Sequence, residues 1–122
     1  MSLTLDGVLD PLAHSKGVRA AVLAAEDDGV AVHALAHEDV DADTLAALGC
    51  RLYRSARLAS ARAGFGASGV MHIEAQGGQI CVAPVSGTAA PLILIVLTDA
   101  DANIGAVRMA LTRAANEAGQ AT

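Results

Sequence analysis

The chain has 122 residues, a formal charge of -5 at neutral pH, 53% apolar residues and only 2% aromatic ones. That length suits one domain, 1–122, with a real core and no room for a second. An acidic balance with a single lysine, Lys16, lacks the electrostatic footprint of a nucleic-acid or anionic-membrane binder, so neither partner is expected.

Leu5, Val8, Leu9 and Leu12 recur at helical spacing and predict a short first helix. Pro11 inside it cannot donate to residue 7, so a bend or a restart capped by Asp10 is expected. Val18 to Ala25 reads as a strand, Asp27-Asp28-Gly29 as a hairpin turn, and Val30 to Ala36 as its antiparallel partner. The acidic stretch Glu38 to Asp43 then leads into a long helix ending near Ala63. Along that helix Leu45, Leu48, Leu52, Ala56, Ala59 and Ala63 form one apolar stripe, which predicts that this face is buried and that Cys50 lies off it.

After Gly64-Phe65-Gly66, residues Gly69 to Gln76 alternate, with Met71, Ile73 and Ala75 against Val70, His72 and Glu74. An edge strand with one wet face follows from that alternation. Gly77-Gly78 reads as the turn into a strand from Gln79 to Ser86, and Gly87 to Ala90 as the next turn. The aliphatic run Leu92 to Leu97 has no period of two, so it predicts a central strand covered on both faces. From Asn103 a last helix turns Ile104, Val107, Leu111, Ala114, Ala115 and Ala118 inward and Arg108, Thr112 and Glu117 outward. The order is α-β-β-α-β-β-β-α, without an internal repeat.

Several motifs carry less chemistry than their spelling suggests. Gly64-x-Gly66-x-x-Gly69 follows a helix and precedes a strand, the reverse of the context a dinucleotide phosphate needs, and reads as a helix stop. Asp39-x-Asp41-x-Asp43 opens like a calcium loop, but Thr44 stands where glycine is required and Cys50 where the bidentate glutamate belongs. His33 and His37 fall on a strand and a loop, so their spacing does not make a metal pair. Cys50 and Cys81 read as inert, reduced thiols, and no catalytic signature frames any Ser, His or Asp. No catalytic residue, cofactor or metal is therefore expected. The start Met1-Ser2-Leu3-Thr4-Leu5-Asp6 has no basic segment, and no apolar run reaches the ~20 residues of a membrane span, which predicts a cytoplasmic protein. Arginine over lysine and the alanine excess predict a bacterial source with a GC-rich genome.

Arg51, Arg54, Arg57 and Arg62 gather on one arc of the long helix. Two readings stand: an ordinary solvated face, or a surface that meets acidic groups of a second subunit or of a protein partner.

The element order resembles the roadblock family, the dynein light-chain and bacterial GTPase-regulator superfamily. The matching segments are Gly17 to Val22, Asp28-Gly29, Leu45 to Leu48, Val70 to Glu74, Ile80 to Val85, Leu94 to Leu97 and Asn103-Ile104-Gly105-Ala106-Val107-Arg108. The resemblance implies an α/β (α+β), profilin-like fold with a five-stranded antiparallel sheet in the order 2-1-5-4-3. It places the first and last helices on one face and the long helix on the other. It also implies a homodimer formed by pairing the edge strands (Val70, Met71, His72, Ile73, Glu74) and the long helices (Leu52, Ala56, Ala59). Its expected role is a non-enzymatic subunit that binds and modulates a Ras-like small GTPase. The alternatives are an assembly scaffold without effect on GTP hydrolysis and a small-ligand sensor.

Overall fold

The computed structural model describes residues 5–121. The expected lack of a targeting segment at residues 1–4, and the domain boundary at residue 122, lie outside these residues. The elements are α1 (Leu5–Ala13), β1 (Val18–Ala25), β2 (Val30–Ala36), α2 (Ala42–Arg62), β3 (Met71–Ala75), β4 (Gly78–Val85), β5 (Leu92–Asp99) and α3 (Ile104–Ala121). The strands form one sheet in the order β2-β1-β5-β4-β3, every neighbour antiparallel, as expected.

The aliphatic run takes the centre because both its faces need cover. Leu94 and Val96 point into a core closed by Val8, Leu9 and Leu12 of α1 and Val107 and Leu111 of α3. Ile93 and Ile95 point the other way, into a core closed by Ala46, Cys50 and Tyr53 of α2. Two of the helices that provide these covers, α2 and α3, are capped by side chains. Asp41 accepts from the Thr44 backbone N–H at 3.1 Å and from its hydroxyl at 2.7 Å, bonds that hold its carboxyl below the usual range. Asn103 likewise accepts from the Ala106 N–H at 3.1 Å, which explains the asparagine that opens α3.

Three expectations are corrected. Pro11 does not restart α1 at Asp10; the helix runs through it. Burial of Val8, Leu9 and Leu12 holds both sides of the proline, and the last turn closes with His14 N–H donating to the Asp10 carbonyl at 3.0 Å. The second hairpin turns at Gln76-Gly77, one residue earlier than expected, because Ala75 pairs with Gly78. Gly78 belongs to the sheet, where a Cβ would sit 2.5 Å from the Thr98 carbonyl oxygen. β3 is accordingly shorter than the predicted strand, and β5 runs on to Asp99.

The third correction concerns α2. Its buried residues are Ala46, Gly49, Cys50 and Tyr53, a face turned by about 100° from the predicted leucine stripe at 100° per residue. Leu48 and Leu52 are 50% and 42% exposed, whereas Cys50 is 1% exposed. Gly49 suits this close packing, since a Cβ there would lie 2.5 Å from Ile95 Cδ1 and force that buried side chain to move. Gly49→Val should therefore cost about 3 kcal/mol through overpacking and helix strain. Urea denaturation measures it, and an unchanged midpoint would show that α2 can pack at a greater distance.

Candidate protein-interaction surface

The sheet ends in β2 on one side and β3 on the other, and each has a strand neighbour on one side only. β2 is flanked by α1 on one face and α2 on the other, and His33 bonds to Asp6 of α1. β3 has β4 as its substantial neighbour among the described elements, so its outer backbone groups face solvent. An unpaired edge of this kind invites another strand.

The predicted strand face is only partly dry. Met71 and Ile73 are half-buried and turn toward the α2 side, where Met71 packs against the core beneath that helix. His72 is also half-buried, which corrects the expectation of a wholly wet face; its Nε2 lies 2.7 Å from Gln79 Oε1 on β4. Gln79, 7% exposed, in turn donates to the carbonyls of Ala100 and Ala102, fastening the β5–α3 loop to the sheet. Val70 precedes β3 and packs against the α1–α3 core, while Glu74 is exposed.

α2 lies over β1 and β2, and on the α2 side of β3 and β4 Val82 is fully buried while Met71, Ile73 and Ile80 are half-buried and Ala75 is exposed. Beside α2 lies a groove of about 480 Å³ lined by Val40, Leu45, Leu48, Ile80 and Leu97, by Ala75, Gly77 and Gly78, and by the polar Thr44, Gln79 and Thr98. Arg19 and Asp39, joined as an ion pair, stand on its rim with Asp41. Leu48 and Leu52 continue this apolar surface along the helix. The predicted interface residues thus divide: Leu52 and Ala59 are exposed and Ala56 is half-buried, all on α2.

The four arginines divide as well. Arg57 is committed internally, as it pairs with the carboxylate of Glu26 and stands 5.5 Å from the Tyr53 ring centroid. Glu26 sits just beyond β1 and is 2% exposed, so this pair is a structural clamp, and nothing in the sequence joins two residues 31 apart. Arg51, Arg54 and Arg62 are exposed and form no ion pair among the described residues.

Burial raises the pKa of both thiols. Cys50 is held up first by desolvation and then by the Glu26 charge, Cys81 by desolvation with partial relief from Arg108. Tyr53 is raised for the same reason, and its hydroxyl donates to the carbonyls of Ser68 and Gly69, each at 3.1 Å. Among the described residues no three of His, Cys, Asp and Glu gather as a metal ion would require, and no helix is long and apolar enough to cross a membrane. Sequence reasoning passed over Phe65, 82% exposed between two glycines with φ of 78° and 84°. The available signal was the chain's one phenylalanine placed in a turn.

A five-stranded antiparallel sheet of this order, with two helices on one face and one long helix on the other, is the roadblock fold. Among solved structures the chain is similar to Myxococcus xanthus MglB, with a TM-score of 0.83 and 17% identity over 94% of this chain and 91% of that one. It is similar to a roadblock/LC7 domain from Streptomyces avermitilis, with a TM-score of 0.79 and 22% identity over 93% and 92%. It also resembles the gliding protein MglB from Thermus thermophilus, at 0.81 and 18% over 96% and 87%. No family model and no curated protein matches the chain.

Proposed function

We propose that this chain is a homodimeric regulatory subunit that binds a Ras-like small GTPase and modulates its nucleotide cycle by contact, without chemistry of its own. The observation that carries the dimer is the continuity of an unpaired edge strand with a partly aliphatic groove and the exposed leucines of α2. A second copy related by a two-fold axis covers all three at once by pairing β3 with β3 and α2 with α2. Support for self-association on this fold comes from a solved MglB described as a tetrameric arrangement.

The GTPase reading rests on the shared fold with MglB and roadblock/LC7 structures. Arg51 and Arg54 suit a contact with an acidic partner, being exposed, unpaired among the described residues and turned away from the sheet. Tagged protein recovered from its native cell should bring down a small GTPase whose hydrolysis rate changes on binding. Arg51→Glu with Arg54→Glu should weaken that complex at least about tenfold while the dimer persists. A bound GTPase with unaltered turnover would favour the scaffold, and recovery of no GTPase would overturn the proposal.

A further inference from the structure

We infer that Phe65 of each copy inserts into the groove of the other, between α2 and the β3–β4 hairpin, so that the dimer is locked by two reciprocal aromatic plugs. This rests on the dimer reading above and specifies its central contact. The first observation is a pair of complementary orphans. Phe65 is 82% exposed on a loop held by two positive-φ glycines, while the groove of about 480 Å³ presents the aliphatic side chains of Val40, Leu45, Leu48, Ile80 and Leu97 among polar residues such as Thr44 and Asp41. A dry cavity of roughly a third that size already accepts a benzene ring.

The second observation is their placement. Leu52 is the middle residue of α2 and Ile73 the middle residue of β3. Antiparallel pairing of two copies about those centres sets the C-terminal end of one α2 beside the N-terminal end of the other. It likewise sets the start of one β3 beside the end of the other. Phe65 follows the end of α2 and precedes the start of β3, whereas Val40, Leu45, Ala75 and Gly77 of the groove stand at the opposite ends of the same two elements. Both pairings therefore bring the ring of one copy to the groove of its neighbour.

Charge agrees with that register. α2 begins among Asp39, Asp41 and Asp43 and ends at Arg62, which is exposed and without an ion pair among the described residues. Antiparallel apposition brings Arg62 of each copy toward Asp41 and Asp43 of the other, and the helix dipoles add to the attraction.

Sedimentation of the full chain tests the plug. Phe65→Ala touches no core, so far-UV circular dichroism should stay unchanged while the dimer dissociation constant rises by about thirtyfold or more. Phe65→Cys combined with Val40→Cys should yield a disulfide-linked dimer on mild oxidation; the native thiols, 1% and 0% exposed, stay out of reach. A Phe65→Ala dimer as tight as the parent, or a weakened dimer that fails to cross-link through the cysteine pair, would overturn the plug and leave the dimer standing. A parent chain that stays monomeric at high concentration would remove both.

Discussion

Replacing Leu48 and Leu52 with glutamate should leave a folded monomer. Both side chains are about half exposed in the single chain, so their loss does not open either core. In the proposed dimer they become buried, at roughly 1.5–3 kcal/mol for each fully buried leucine, and every substitution appears twice about the two-fold axis. Leu52 stands nearest that axis, where two new carboxylates would face each other and repel. The dissociation constant should rise at least about a thousandfold, with far-UV circular dichroism and the urea midpoint of the monomer kept. Sedimentation velocity across a concentration series reads the effect directly. A dimer of undiminished affinity would place the contact on another face.

Arg57→Ala should be among the most destabilising exposed-site substitutions in the chain. The Glu26 side chain is 3% exposed, and Arg57 is its only ion-pair partner among the described residues. Removing the guanidinium strands a carboxylate that has left water, and breaking a fully buried pair costs about 3–5 kcal/mol. Because the Arg57 side chain is 48% exposed, the pair is partly screened and about 2–3 kcal/mol is the expected loss. The double change Glu26→Leu with Arg57→Met removes both charges and keeps the volume, so it should recover most of that stability. Thermal and urea unfolding of the three proteins decides the matter: if the single and double variants lose equally, stacking of Arg57 on Tyr53, and not the ion pair, is what holds this corner.

The sheet was legible because its strands carry their burial in their spacing. Leu92 to Leu97 has apolar residues on both sides and took the centre, and the segment from Asn103 marked the start of α3. The orientation of α2 was not legible, and the reason is physical. A leucine stripe indicates which surface prefers to leave water, without indicating whether the same chain or a second copy provides the cover. Here Ala46, Gly49 and Cys50 allow a close approach to the sheet, Tyr53 fills the space further along the same face, and Leu48 and Leu52 stay outside. The same ambiguity hid the groove, since Val40, Leu48, Ile80 and Leu97 come from four separate segments. The Glu26–Arg57 clamp escaped notice because an isolated acid after a strand and an arginine in a charged helix look ordinary until the fold joins them.

The hydroxyl of Tyr53 ties the inner face of α2 to the backbone at Ser68 and Gly69, the segment from which β3 departs. With one tyrosine and no tryptophan, nearly all the near-ultraviolet absorbance and emission of the chain comes from that ring. The molecule thus carries a built-in optical gauge at the junction of its interior and its edge strand. Strain or release at that junction registers in a single chromophore, without an attached label.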